Sequence, residues 1–304
     1  MKILDFGSLN LDTVYRVDHI VQPGETLLPL FVRSYCGGKG LNQSIAIARA
    51  GCQVFHAGRV GPDGSRLLDQ LKEAGVDVHL VETVEARTGH TVIQVDSQGQ
   101  NAILLFGGAN RVIEKTFIDR TLKGFRKGDM LVLQNEISEV AYLIQRGSER
   151  GMRICFNASP ADAALVQYPL HLVHTLLVNE IEGSTLAGTD DPDRIVDVLI
   201  AQGYGKEVVL TLGKRGVLFG DGKRKFRFKS FSVPVVDTTG AGDTFTGFYL
   251  AGVARGLDAE SCLLYATAAA SICVTRAGAA ESIPDWEETA AFLSSGSLPD
   301  GPKP

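Results

Sequence analysis

The sequence predicts an α/β protein built on a mostly parallel sheet. Three observations carry this. From Ile113 to Thr211 short apolar runs alternate regularly with helical stretches; two glycine-rich segments, at 37–40 and 240–242, each open a helix; and the chain after 241 is almost entirely helical in pattern. Regular βα alternation implies parallel strands covered on both faces and joined by right-handed crossovers.

Taken in order, Ile-Leu-Asp-Phe within residues 2–7 reads as a central first strand ending at Gly7-Ser8. The segment to Tyr35, broken by Pro23-Gly24 and Pro29, reads as short exposed strands, the first part of a lid. Gly37-Gly38-Lys39-Gly40 opens a helix to about Ala50, which Gly51 stops. A strand (54–58), a helix (64–74) and a strand (76–81) follow, then a hairpin (88–95 and 102–106) around Ser97-Gln98-Gly99-Gln100 that completes the lid. The βα series then runs helix 114–124, strand 129–134, helix 138–150, strand 153–157, helix 162–172, strand 174–178, helices 180–187 and 192–203, and strand 206–211. Two more strands (216–220 and 225–232) precede helices 241–255, 258–276 and 285–294, and a frayed tail from Gly296 to Pro304. Residues 1–295 thus read as a single domain, with a lid formed by about 11–36 and 88–106.

Hydrophobic residues make up 44% and charged residues 21% of the 304, the balance of an ordinary folded chain. A net charge of −5 argues against nucleic acid as a partner. The one basic run, Lys223 to Lys229, alternates with Phe226 and Phe228 and reads as the solvated face of a strand. The N-terminus lacks a signal-peptide core, and no stretch approaches the ~20 apolar residues of a membrane helix. Five widely spaced cysteines without a C-x-x-C pair suit reduced thiols, and the expected location is cytoplasmic. The six histidines show no metal spacing.

The chemistry concentrates in Asp237-Thr-Thr-Gly240-Ala241-Gly242-Asp243. Small residues let backbone N–H groups approach an anion, and a helix opening near Ala241 leaves its first donors without internal partners. Asp243 falls in that first turn, either beside an anion site or as the N-terminal acid of an ordinary tight turn. The loop is not G-x-x-x-x-G-K-[S/T], which disfavours a P-loop enzyme, and Gly37-Gly38-Lys39-Gly40 is not followed by the third glycine of a dinucleotide loop. Two glycines backed by Asn42 suit a polyhydroxyl ligand, since an amide both donates and accepts, or serve as a plain helix cap. Asn10 and Asp12 share one face of an extended segment, where they can grip vicinal hydroxyls or serve simply as turn residues. Asn179-Glu180-Ile181-Glu182 lies at a strand-to-helix junction, where an acid caps the helix or, as Glu182, meets Mg²⁺ through water.

These pieces occur in one order along nearly the whole chain, and that order resembles the ribokinase, or phosphofructokinase-B-type, family of carbohydrate kinases. Gly7-Ser-Leu-Asn10-Leu-Asp12, Gly37-Gly-Lys-Gly-Leu-Asn42-Gln43, Asn179-x-x-Glu182, Thr211-Leu-Gly213-x-x-Gly216 and Gly240-Ala-Gly-Asp243 carry the likeness. The resemblance implies a three-layer α/β/α ribokinase-like fold with a small β lid over a sugar, a lid that often mediates a homodimer. It implies ATP-dependent phosphorylation of a sugar hydroxyl, ribose or a ribose-like sugar above nucleosides, 2-keto-3-deoxy sugar acids and fructose phosphates; the alternative of another class is a non-catalytic sugar or nucleotide sensor on the same scaffold, against which the presence of Asp243 argues. By this likeness Asp243 is the base, and Gly240, Ala241 and Gly242 form the anion hole. Asn10, Asp12, Gly38, Lys39, Asn42 and Glu136 line the sugar pocket. Asn179, Thr211, Gly213, Gly216, Gly242 and Thr267 border ATP, with Glu182 near Mg²⁺. A monovalent cation, K⁺, is expected at Asp237, Thr239, Cys273, Arg276, Gly278 and Ser282, several of them through backbone carbonyls. Two positions depart from the family's habit: Asn135 precedes Glu136 where an apolar residue is common, and Thr267 replaces a His or Asn near the adenine.

Overall fold

A computed structural model describes residues 1–296 and 298; the expected tail beyond Gly296 lies, apart from residue 298, outside the described residues. The main sheet has nine strands: β1 (Ile3–Phe6), β4 (Val54–Val60), β5 (Asp77–Thr83), β8 (Met130–Gln134), β9 (Arg153–Asn157), β10 (Thr175–Asn179), β11 (Glu207–Thr211), β12 (Val217–Gly220) and β13 (Lys225–Phe228). Their order is β13-β12-β11-β10-β9-β8-β1-β4-β5. The seven from β5 to β11 run parallel, and β12 and β13 turn back antiparallel at one edge.

Each central strand is buried on both faces, as an all-buried Met-Leu-Val-Leu-Gln requires. The alternation along β1 and β8 separates two cores. Leu4, Phe6, Leu131 and Leu133 face one layer with Phe117, Leu143 and Phe156. Ile3, Met130 and Val132 face the other with Ile45, Phe248 and Leu263. That second layer holds α1 (Lys39–Arg49), α7 (Ala241–Ala254) and α8 (Ala259–Cys273). Gly247 permits the close contact of α7 with α1, because a Cβ there would stand 3.0 Å from the Ile47 nitrogen.

The remaining strands form a second sheet, in the order β3 (Phe31–Gly37), β2 (Asn10–Arg16), β6 (Gly89–Val95) and β7 (Asn101–Phe106). Three expectations need correction. The helix over 162–172 is replaced by two short 3₁₀ turns, Leu165–Gln167 and Leu170–Leu172. Asp162 accepts hydrogen bonds from the Ala164 and Leu165 nitrogens to start the first turn, and Pro169 forbids a helix from running through. The second is the strand over 225–232, which ends at Phe228, and the third is the helix expected to reach Arg276, which ends at Cys273. The other strands and helices lie within a few residues of their expected places, among them α5 (Glu180–Ala187), α6 (Pro192–Ala201) and α9 (Trp286–Ser295).

Candidate active site

In β order, the chain leaves β1 toward β4 and β5 on one side and toward β8 to β11 on the other. Such a reversal opens a crevice at the carboxyl ends of the strands. Ser8, Glu136, Asn157, Asn179 and Thr211 all sit at or just past those ends.

Three helices start there, and their first donors are treated differently. At α1 the Lys39 nitrogen donates to Glu136 Oε2 (3.1 Å), and the Gly40 nitrogen to Ser8 Oγ (3.2 Å). Glu136 also accepts from the Ser8 hydroxyl. Gly38 sits at φ 98°, and a Cβ there would stand 2.8 Å from the Ser8 carbonyl oxygen, so the corner closes only with glycine. At α5 Asn179 Oδ1 accepts from the Ile181 and Glu182 nitrogens (2.8 and 3.1 Å), while Glu182 Oε2 accepts from the Asn179 nitrogen (2.8 Å), a closed capping box. At α7 Gly240 occupies the left-handed region (φ 76°) without a side-chain cap, and among the described residues the Gly242 and Asp243 nitrogens have no acceptor.

Asp243 stands at that open end, 7% exposed. Its Oδ2 accepts from Asn42 Nδ2 (3.0 Å) and its Oδ1 from Gln43 Nε2 (2.9 Å). Asn42 Oδ1 is buried and unpartnered, an acceptor left for a ligand hydroxyl. A cavity of about 230 Å³ joins Asp243 to Lys39, Asn157, Glu182, Gly240 and Gly242. It shares Asn179, Thr211, Thr238 and Gly242 with a larger cleft of about 750 Å³ that adds Gly213, Gly216, Ala241 and Thr267. Gly242 belongs to both, and a Cβ there would meet nothing within 4 Å, so its missing side chain leaves the passage open. The buried Thr267 hydroxyl lines the larger cleft without a partner.

Burial works against the Lys39 ammonium, yet the charges of Asp243, Glu136 and Glu182 outweigh it and lift its pKa above the ordinary lysine value. Asp12 accepts from Thr91 Oγ1 (2.6 Å); burial raises its pKa against that bond, and the Glu136 and Asp243 charges push the same way. Asn10 Oδ1 accepts from Asn110 Nδ2 (2.8 Å), which fixes its amide on the same strand.

The six residues expected around a cation gather only partly through side chains. Asp237 Oδ1 accepts from the Thr239 nitrogen and hydroxyl (2.9 and 2.7 Å), and its Oδ2 from the Gly278 nitrogen (3.0 Å). Cys273 Sγ lies 3.0 Å from Ser282 Oγ. The Arg276 guanidinium instead pairs with Glu288, so its side chain is turned to α9. Among the described residues no three His, Cys, Asp or Glu side chains cluster as a metal cage.

Sequence reading misses a buried polar set behind Asp243. Gln43, quoted above only as part of a motif, bridges Asp243 to Gln134, and Gln134 Nε2 donates to both Gln43 Oε1 and Asp5 Oδ1 (2.9 Å each). Ser44 Oγ donates to Asp5 Oδ2 and lies 2.8 Å from His56 Nδ1. Burial pushes Asp5 up to about 7 against its hydrogen bonds from Gln134 and Ser44, with the Asp243 charge adding to the rise; burial pushes His56 down to about 3. A lone Asp in an apolar strand is the one signal the sequence offers.

Comparison with known proteins agrees with this geometry. Residues 2–286 match the model of the pfkB family of carbohydrate kinases. Ribokinase of Bacillus subtilis is 35% identical over 300 residues, covering 96% of this chain and 99% of the relative. Among solved structures, ribokinase of Cryptococcus neoformans in complex with ADP matches with a TM-score of 0.84 at 31% identity, covering 96% of this chain and 99% of that one. Arabidopsis thaliana ribokinase complexed with ribose and ATP matches with a TM-score of 0.84 at 28% identity, covering 96% and 98%. The expected α/β fold and the expected resemblance both hold, and the chain belongs to the pfkB family of carbohydrate kinases.

Proposed function

We propose that this carbohydrate kinase transfers the terminal phosphoryl group of ATP to a hydroxyl of ribose or a ribose-like sugar, with Asp243 as the base. The observation that carries the reading is the open end of α7, where a buried carboxylate stands beside two unpaired N–H groups at the junction of a small and a large cavity. Phosphoryl transfer demands chiefly positioning and charge neutralisation, which such parts supply.

In this reading Asn10, Asp12, Gly38, Lys39, Asn42 and Glu136 hold the sugar with one hydroxyl against Asp243. Asn42 contributes its free Oδ1 to that ligand while its NH₂ orients the base. Asp243 takes the hydroxyl proton as the oxygen attacks. The Gly242 and Asp243 nitrogens, with Gly240 and Ala241 shaping the turn, receive the charge on the moving group. Asn179, Thr211, Gly213, Gly216 and Thr267 border the nucleotide in the larger cleft. Mg²⁺ would supply charge neutralisation on the phosphates. Glu182 fits as a water-mediated partner: it lines the small cavity, and Mg²⁺ needs few protein carboxylates. Asp237, Thr239, Cys273, Gly278 and Ser282, with the Arg276 carbonyl, are the proposed K⁺ surroundings.

The second sheet is the proposed lid and dimer face; Leu104 is 73% exposed, and Phe31, Val32 and Phe106 are about half exposed. Cytoplasmic residence accords with five free cysteines, and among the described residues no helix is long and apolar enough to cross a membrane.

The test is ADP release from Mg-ATP with ribose, deoxyribose, nucleosides, 2-keto-3-deoxy acids and hexose phosphates, run in K⁺ and in Na⁺, with the mass of the same sample in solution. Ribose is expected to give the highest kcat/KM, K⁺ the higher rate, and the mass to be that of a dimer. A nucleoside or sugar acid outranking ribose overturns the substrate, equal rates in both salts the cation, and a monomer mass the dimer.

A further inference from the structure

Asp5 lies on β1 among positions that otherwise carry the core, fully buried on the α1 side of the sheet. Its role follows from which atoms can donate. A carboxylate oxygen facing an amide admits only the NH₂ end, so Asp5 Oδ1 draws Gln134 Nε2 toward it. That same nitrogen donates to Gln43 Oε1, which turns the Gln43 NH₂ toward Asp243 Oδ1. Gln134 Oε1 is left buried with no partner. Gly7 makes room for it, since a Cβ there would stand 2.5 Å from Gln134 Oε1 and 2.9 Å from Asp5 Oδ1. An orphaned carbonyl is costly, and this orientation persists because the opposite one would set oxygen against oxygen at Asp5, at one end of the relay, and at Asp243, at the other. When Asp5 carries a proton, Oδ2 is the place for it, since Ser44 Oγ can accept there; Oδ1 then remains an acceptor.

Resting on the assignment of Asp243 as the base, we propose that Asp5 is a positioning residue: it fixes the direction of a buried amide relay, Asp5–Gln134–Gln43, so that a donor and not an acceptor is presented to Asp243. An asparagine at position 5 removes the constraint at that end and leaves the one at Asp243. Its NH₂ can donate to Gln134 Oε1, the Gln134 and Gln43 amides can both turn over, and Gln43 Oε1 then faces Asp243 Oδ1, oxygen against oxygen. The base loses one of its two amide anchors and is pushed from its place.

The experiment is a double-mutant cycle on the full chain with Asp5→Asn and Gln134→Leu, reading kcat, KM for ATP and melting temperature. Asp5→Asn is expected to lower kcat roughly ten-fold or more, within the hundred-fold that a misplaced catalytic group can cost, with KM for ATP within about two-fold because no residue of the larger cleft is touched. In the Gln134→Leu background, where the relay is already cut, the same substitution should lower kcat no further. Gln134→Leu alone should also lower kcat, which keeps the test open if Asp5→Asn does not fold. Equal losses from Asp5→Asn in both backgrounds, or a lower melting temperature with unchanged kcat, would overturn the relay. Asp243→Asn separates the two ideas: if it is inactive while Asp5→Asn and Gln134→Leu are fully active, the relay fails and the base stands. Wild-type kcat in Asp243→Asn removes the base itself.

Discussion

Helices α5 and α7 both begin at the mouth of the parallel sheet and both carry an acid in the first turn, yet they are finished in opposite ways. At α5 the acid, Glu182, turns back to its own chain and closes a capping box with Asn179. At α7 a left-handed glycine starts the helix, the acid accepts from a different helix, and two backbone donors stay open. The same N-terminal chemistry stabilises a helix when it is satisfied locally and stays open to water or a ligand when it is not. Local sequence shows an acid in both places; only the partners tell them apart.

The largest expected effect lies at the open end. Asp243→Asn should lower kcat by about 10²–10⁴, the usual contribution of a positioned base, while the chain keeps its fold and binds ATP. Near-wild-type turnover in a steady-state ADP assay would erase the contrast with α5.

A smaller effect comes from the polar set behind Asp243, for which α5 has no counterpart. Asp5 binds its proton more tightly folded (about 7) than unfolded (about 3.8), so its contribution to stability is complete below about pH 4 and is lost as pH rises through 7. His56 has the opposite sign: its folded value of about 3 lies below 6.5, so its contribution is complete above pH 6.5 and is lost as pH falls toward 3. Between pH 4 and 7 the two slopes oppose. Asp5→Asn removes one, so urea unfolding of the variant should gain stability from pH 4.5 to 7.5 by a few kcal/mol more than the wild type, because a tenfold difference in proton affinity between folded and unfolded chain is worth about 1.36 kcal/mol. Parallel pH curves for the two proteins would show that Asp5 is not the buried acid described.

The smallest expected effect is at the closed end. Asn179→Ala should lower unfolding free energy by about 1 kcal/mol, the usual value of a cap. An unchanged denaturation midpoint would mean that α5 does not depend on its box.

Much of this is legible in the chain. The glycine runs at 37–40 and 240–242 mark helix starts because few other residues permit such close backbone approach. Asn42 and Asp243 stand out by their neighbours in sequence. Residues 5, 43, 134 and 243 cannot be linked that way, because each lies on a different element or turn and they meet only when β1 and β8 pair beneath α1. The Arg276 side chain cannot be placed either, since its partner Glu288 comes from α9. Residues 162–172 mislead for a local reason: their apolar content suggests a helix, while Pro169 interrupts it.

The basic run at 223–229 has a consequence outside catalysis. Among the described residues β13 pairs with β12 alone and so forms an edge of the sheet, the kind of border on which another chain can add a strand. Lys225 and Arg227 point outward and are tied to Asp197 and Asp193, while Phe226 turns inward and stacks on Phe219. Charge on this border makes unplanned growth of the nine-stranded sheet unfavourable.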